Sequence, residues 1–538
     1  MASVNTGPPD RTLIDQLLAE QRDLSAVSRF SLWHNNGGGP ALARHYRSLI
    51  PLSVPGPGEQ YAFEVDLDKC SGCKACVSAC HSLNGLNEHE TWRSTGLLIS
   101  SRSSQPHVQT VTTACHHCVD PGCLNGCPVL AYDKDPATGI VRHLDDQCIG
   151  CQYCVLMCPY EVPQYSGKRG IVRKCDMCHQ RLTNGEAPAC VQACPDEAIR
   201  ITIVRQDAVR QNFHRNGSSS DSGPNKFLPG SPNPSITQPT TRYISARPVP
   251  AELIPADAFE TRIQPLHLPL VWMLVLSQLG VGGYLFLPLS PQAAQPVLAV
   301  VALTATLFGL AGAILHLGRP LKAWRAFLGL RRSWLSREII VFNLFMPLAV
   351  AATASCFLPD AFWKPALLWL TALAGIPGVF CSAMIYHATQ RVGWRGELSI
   401  GRFFATTALL GLATTWVATE FAKTPTLLFP ALLVLVSTVK IMREMSFLRR
   451  ETDTTTPPTP LARSATLMRS QLGLLLGFRV VLGAMGGVAL PVISLAPIVS
   501  PALIAATALF LCLAGELAER ALFFLAVATT KMPGGVAS

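Results

Sequence analysis

From Leu266 onward the chain reads as a succession of apolar stretches long enough to cross a lipid bilayer, whereas no earlier apolar run reaches the roughly 18 residues a spanning helix needs. The chain is therefore divided into an aqueous first part and an embedded second part. Eight stretches can be marked, at about 268–288, 294–315, 338–358, 364–386, 403–419, 425–441, 472–492 and 501–527. An even number returns the C-terminus to the side on which the series began. With 49% hydrophobic and only 14% charged residues, against roughly 25% charge in an average soluble protein, a purely soluble enzyme and a disordered chain are both excluded.

The net charge of +10 raises nucleic-acid binding, and the positions of the bases argue against it. Loops on the side of the aqueous part carry fifteen basic residues, among them Arg319, Lys322, Arg337, Arg391 and Lys440, while the opposite loops carry only Lys364 and Lys423. By the positive-inside bias, the aqueous part and the C-terminus face the cytoplasm across a bacterial-type inner membrane. The expected surroundings are lipid, with no nucleic acid.

Of nineteen cysteines, only Cys356, Cys381 and Cys512 follow Cys194. The other sixteen form four groups. Cys70, Cys73, Cys76 and Cys80 have CxxCxxCxxxC spacing, and Cys148, Cys151, Cys154 and Cys158 repeat it before Pro159; Cys115, Cys118, Cys123, Cys127 and Cys175, Cys178, Cys190, Cys194 have longer internal gaps and also end before proline. Three closely spaced thiolates can occupy three corners of a four-iron cube while the fourth, before proline, reaches a neighbouring cube. Disulfides need an oxidising compartment, and no signal peptide is legible. The runs also lack the spacing of a zinc ribbon. Each group has its full set of ligands, so four 4Fe-4S clusters are expected, in a duplicated α+β ferredoxin-like domain. Spacing leaves open which groups exchange ligands.

The segments CSGCKACVSACH, CHHCVDPGCLNGCP, CIGCQYCVLMCPY and KCDMCHQRLTNGEAPACVQACP resemble the iron-sulfur subunit of dimethyl sulfoxide reductase and related molybdopterin oxidoreductases. The resemblance implies that the first group exchanges its last ligand with the fourth and the second with the third. The implied cubes are Cys70, Cys73, Cys76 with Cys194; Cys175, Cys178, Cys190 with Cys80; Cys115, Cys118, Cys123 with Cys158; and Cys148, Cys151, Cys154 with Cys127. It also implies that the first of these lies nearest a molybdenum partner. The embedded part resembles the anchor subunit of the same enzymes, through HLGRPLKAWRA at His316–Ala326 and SWLSREI at Ser333–Ile339, so two subunits that are usually separate are expected here on one chain.

A quinol surrenders two protons and two electrons, so its site needs titratable groups at membrane depth near a cube. His316 ends the second stretch and Glu338 begins the third, both on the cysteine side. The resemblance points to the same segment and adds Gly318 and Lys322, the latter where arginine is common. The plainer reading is that these are interfacial groups reaching into water. In the last two stretches Arg479 stands at the depth of Glu516 and Glu519, as an ion pair would require. Gln278, Asn343 and Glu420 read as interhelical hydrogen-bonding residues. From Leu266 the only histidines are His267, His316 and His387, each at the end of a stretch, which leaves no ligands at span depth for haem.

The organisation expected is an N-terminal extension over 1–58 with a docking helix at Thr12–Ser25, a four-cluster domain over 59–203, a linker over 204–262 that is either a free tether or a surface loop, and an all-α bundle of about eight transmembrane helices over 263–538. The resulting reading is a redox module that oxidises menaquinol or ubiquinol near the cytoplasmic face. Electrons then pass through the cubes to a separate molybdopterin-containing catalytic subunit, as in anaerobic respiration. Two rivals keep the parts: a quinone-reducing module with reversed flow, and a transporter with a ferredoxin sensor.

Overall fold

The computed structural model describes residues 13–14, 43–100, 107–214, 227–250, 252–450, 458–496 and 500–534. The docking helix expected at Thr12–Ser25 falls outside these except for Leu13 and Ile14, both exposed. Residues 43–50 are already part of the aqueous domain, because Tyr46, Leu49 and Ile50 are buried in its core.

Two three-stranded sheets and two hairpins frame the aqueous domain. In one sheet Glu59–Asp66 is central, antiparallel to Ile199–Arg205 and parallel to Arg242–Ile244. In the other Ser94–Ser100 is central, antiparallel to both Val108–Thr113 and Leu253–Pro255. Tyr61, Phe63, Ile199 and Ile201 from the first sheet pack with Cys76, Cys80, Cys175 and Cys190. The hairpins supply Tyr132, Val141, Ile171 and Val172, which cover Cys123, Cys127, Cys148 and Cys154. Short strands thus provide an apolar jacket for cysteine-bearing loops.

Residues 227–262, which by their Pro and Ser content read as a tether or a loop, instead complete both sheets with Arg242–Ile244 and Leu253–Pro255. Before them Gln206–His214 is helical. Edge strands otherwise expose unpaired backbone groups, so pairing outweighs the composition of the segment.

The embedded part is all-α. Its main helices are α1 (Leu268–Phe286), α2 (Gln295–Leu315), α3 (Trp334–Ser355), α4 (Lys364–His387), α5 (Gly396–Phe421), α6 (Leu428–Arg450), α7 (Gly473–Ala484) and α8 (Pro501–Leu525), with a shorter helix over Pro460–Ser470 between α6 and α7. Beyond α7 a π-helical turn over Met485–Ala489 leads into Leu490–Ile493. α1 packs against α2, α4, α5 and α8, and its apolar residues run all the way round, as an inner helix requires.

Among the described residues seven helical segments are long and apolar enough to cross a membrane, and α6 is not one of them. The sequence counts eight. α6 differs because its C-terminal half carries Lys440, Arg443 and Glu444, and Lys440 and Glu444 turn toward ionised partners inside the bundle.

The two parts are clamped together at three places. Between α2 and α3, Gly318 lies so close to Gly170 that a Cβ would stand 2.2 Å from the Gly170 carbonyl oxygen, so only glycine fits. The Arg319 amide donates to the Ile149 carbonyl at 3.0 Å, and Ser333 Oγ to that of Gly126 at 2.7 Å. Between α4 and α5, Arg391 reaches the carbonyls of Leu156 and Val155, both at 3.4 Å. After α8 the tail returns to the aqueous domain: the Leu97 amide donates to the Gly534 carbonyl at 3.0 Å, Lys531 pairs with Asp257 at 2.9 Å, and Met532 is buried.

Candidate functional site

The cysteine loops turn through left-handed residues at recurring places. Lys74 follows Cys73 with φ 62° and Gln152 follows Cys151 with φ 59°, while Leu130, Glu161 and Glu197 each stand three residues after a last cysteine, with φ of 54°, 55° and 50°. Such turns aim successive N–H groups to one side and form an anion-binding concavity. The sulfurs receive some of them: Ala131 N donates to Cys127 Sγ at 3.2 Å, Ala198 N to Cys194 Sγ at 3.3 Å, and Met177 N to Cys175 Sγ at 3.4 Å.

Folding gathers the thiols into four mixed sets. Cys70, Cys73, Cys76 and Cys194 line one small cavity, and Cys115, Cys118, Cys123 and Cys158 line another. Cys80 faces Cys178 and Cys190, with Cys175 beside it. Cys127 faces Cys148, Cys151 and Cys154. Each set draws its fourth member from a different sequence group, and among the described residues no cluster of His, Cys, Asp or Glu is tight enough for a single metal ion. Four thiols around a void, with N–H donors behind them, suit an anionic cluster larger than one ion.

Buried side chains stand between successive sets. Tyr132 lies between Cys154 and Cys123, Lys174 between Cys115 and Cys175, and Arg93 between Cys190 and Cys76. The sets therefore follow one another in a file from the Cys127 set to the Cys70 set, where Cys73 is exposed.

The Cys127 set abuts a cavity of about 940 Å³ between the aqueous domain and the bundle, lined by Cys151, Tyr153, His267, His316, Glu338 and Tyr386 among others. His316 caps the end of α2, and its ring lies against the backbone of Cys151. Burial holds the imidazole down, at about 4, with the adjacent His267 adding to the effect and the Cys151 contact opposing it. The two histidine rings meet edge to face, 5.3 Å apart. Glu338, near the start of α3, is buried, and Ser382 Oγ of α4 donates to its carboxylate. Tyr153 and Tyr386 both lie within electrostatic reach of Glu338, and Tyr153 Oη donates to the Ile385 carbonyl at 2.9 Å.

His316 and Glu338 thus share one cavity. Lys322 does not line it: on a 3₁₀ helix over Pro320–Phe327, its ammonium donates to the Asp146 carbonyl at 2.8 Å, beside Arg319 on the Asp145 carbonyl at 2.8 Å. Sequence reasoning passes over Tyr153, Tyr386, Ser382 and His267 as members of the site. Tyr153 is visible inside CIGCQYC, yet no spacing rule connects a cysteine loop with a helix more than two hundred residues later.

Of the ion pairs expected for Arg479, the one with Glu516 is present and the one with Glu519 is not. Arg479 binds Glu516 and Glu444, each at 3.1 Å, and Glu516 also takes Lys440. Glu519 pairs instead with Arg520 at 3.7 Å and Arg402 at 4.0 Å. Gln278 does bond between helices, accepting from Arg520 at 3.2 Å. Asn343 and Glu420 bond within their own helices, to the Ile339 carbonyl and the Trp416 indole, because the nearest partner lies one turn away.

Residues 106–203 match the 4Fe-4S dicluster domain family and residues 264–525 match the DMSO reductase anchor subunit (DmsC) family. The protein is 35% identical over 164 residues to the B subunit of the anaerobic dimethyl sulfoxide reductase of Haemophilus influenzae, covering 29% of its own length and 78% of that subunit. It is 33% identical over 155 residues to YnfG of Escherichia coli, a probable anaerobic dimethyl sulfoxide reductase subunit, covering 27% and 75%. With the hydrogenase-2 operon protein HybA of Escherichia coli it shares 37% identity over 160 residues, 25% of its own length and about half (49%) of that protein.

Proposed function

The chain belongs to the dimethyl sulfoxide reductase family, as an iron-sulfur electron-transfer subunit fused to its membrane anchor, and we propose that it oxidises quinol in the cavity between its two parts and delivers the electrons to a separate molybdopterin-containing catalytic subunit. The observation that carries this reading is the shared wall: Cys151 and the polar pair His316 and Glu338 line one cavity. Its volume of about 940 Å³ is at the upper end of ligand pockets and suits a quinol ring with the first part of its tail. Ile314 and Phe327, half exposed at the cavity's edge, offer the tail a way into lipid.

The sixteen cysteines Cys70 to Cys194 would hold four 4Fe-4S clusters, which supply one-electron carriers in file from the cavity to the exposed Cys73. The protein's own groups handle the rest of the reaction. His316, neutral, takes the proton of one quinol hydroxyl at a ring nitrogen. Glu338 takes a proton from the other at its carboxylate oxygens, with Ser382 fixing the orientation of that carboxylate. Tyr153 and Tyr386 close the cavity and keep bulk water from the carboxylate. Lys322 serves instead to fasten the aqueous domain to the bundle.

We read α6 as an eighth crossing. The strand Leu253–Pro255, shortly before α1, pairs with Ser94–Ser100, and the tail that leaves α8 bonds to Leu97 of the same strand, which supports an even number of crossings. The excess of bases on that side supports a cytoplasmic aqueous domain. The exposed end of the file at Cys73 favours the Cys70 set as the one that meets the catalytic partner. The distribution of polar groups also speaks against a transporter, since most of the buried charges are held in ion pairs at one end of the bundle, among α5, α6, α7 and α8.

Anaerobic purification of the complex followed by metal analysis tests the reading. About sixteen irons per chain and molybdenum on a second polypeptide are expected. A complex without molybdenum or tungsten would overturn the partner assignment, and about eight irons would overturn the four-cluster file.

A further inference from the structure

A second cavity, of about 240 Å³, opens between the first turns of α5 and the last turns of α6, far from the quinol cavity in its lining. Arg402, Lys440 and Arg443 line it together with Glu397 and Glu444, and its remaining wall is apolar, from Leu398, Ala405, Leu435, Val436, Val439 and Phe447. Leu435 and Val439 are 58% and 48% exposed, so the apolar wall continues onto the surface that faces the surrounding acyl chains. The cavity lies at the end of the bundle nearest the aqueous domain, since α5 starts there, beside Arg391 and its bonds to that domain.

The charges around it do not balance. Inside the bundle, Arg402, Lys440, Arg479 and Arg520 face only Glu444, Glu516 and Glu519, joined through Thr406, which donates to Glu516 at 2.6 Å. At the mouth stand the exposed Glu397 and Arg443, one of each sign, and neither side chain has an ion-pair or hydrogen-bond partner among the described residues. Five cations against four anions leave one positive charge without a counter-ion at the edge of the hydrocarbon, where an unpaired charge is costly. The Arg443 guanidinium lies over Gly401, whose lack of a side chain keeps the space beside it open.

We propose that this cavity seats the phosphodiester of an anionic phospholipid, which accepts hydrogen bonds from Arg443 and Arg402 while one acyl chain runs along Leu435 and Val439. One phosphodiester carries the single negative charge that the cluster lacks. A free phosphate would have no use for the apolar wall, and a zwitterionic lipid would bring its own cation into a site already rich in them. Basic pockets between membrane helices on this side are a recurring way to hold such headgroups. The bound lipid would brace α6, the most polar of the bundle's long helices, against α5.

Native mass spectrometry of the full chain tests this, after reconstitution into vesicles of equal phosphatidylglycerol and phosphatidylcholine and extraction in mild detergent. Wild type should retain phosphatidylglycerol over phosphatidylcholine by about fivefold, and Arg443→Gln should bring the ratio near parity, as one base near the surface is worth about that factor. Arg443→Lys should keep the preference. Arg395→Gln, which removes an exposed base outside the cavity, should leave it unchanged. No preference in the wild type, an unchanged preference in Arg443→Gln, or equal loss from Arg443→Gln and Arg395→Gln would each overturn the proposal. Displacement of the lipid by excess inorganic phosphate would overturn it in favour of a free-anion site.

Discussion

The ring of His316 lies against the backbone of Cys151, so a residue at the end of a membrane helix and a cysteine of the aqueous domain form one wall of the same cavity. The contact depends on Gly318 and Gly170 meeting backbone to backbone, which brings the loop after α2 against the Cys148–Cys151 turn. The cavity wall and the Cys127 thiol set are thereby held together by main-chain packing, with no need for a flexible arm.

On the proposed reading Glu338 is the carboxylate that takes a quinol proton, and its removal should cost most. Glu338→Gln is expected to lower quinol oxidation by about 10²–10⁴-fold with iron content unchanged. Ser382→Ala, which only releases the carboxylate, should cost about tenfold. Steady-state quinol oxidation by membranes, normalised to iron, measures both; a Glu338→Gln protein with full turnover would remove the carboxylate from the reaction.

Lys322 gives the opposite expectation. Because its ammonium is committed to the Asp146 carbonyl outside the cavity, Lys322→Ala should leave the KM for quinol within about threefold, a loss no larger than one ordinary hydrogen bond is worth. A large rise in KM with the clusters intact would mean that this side chain turns inward to meet the substrate.

The mixed thiol sets make a prediction about identity. Cys80→Ser should alter the same paramagnetic centre as Cys175→Ser, and Cys194→Ser the same centre as Cys70→Ser. Low-temperature spectra of the four variants decide it. If Cys80→Ser instead matched Cys70→Ser, each sequence group would hold its own cluster and the exchange would be wrong.

The ion-pair network should behave as a unit. Lys440→Met leaves Glu516 buried with one partner fewer and should destabilise the bundle by about 3–5 kcal/mol, whereas Lys440→Met with Glu516→Gln should cost less than the sum of the two single changes. Thermal unfolding in detergent reads the difference; strict additivity would mean the two residues do not interact.

Much of this is legible in the sequence, for reasons particular to each part. Cysteine spacing carries its own geometry, and long apolar stretches announce helices by length alone. His316 and Glu338 can be paired because one short connection joins their helices. Contact across long separations cannot be read in the same way. Tyr153 meets Ile385, Arg391 meets Leu156, and Met532 packs beside Leu98, and nothing periodic links those positions. Composition misleads at residues 227–262, where a Pro- and Ser-rich run is needed to close two sheets. It misleads again at α6, where Lys440 reads as a loop charge although it is buried against Glu516.

The most direct test is low-temperature paramagnetic resonance of the anaerobic complex mixed with a reduced quinol. Signals of reduced four-iron centres should develop in the wild type and fail to develop in Glu338→Gln, while dithionite reduces both proteins alike. If quinol reduced Glu338→Gln as fully as the wild type, or if dithionite raised no four-iron signal in either, the cavity beside Cys151 would not be where electrons enter the file.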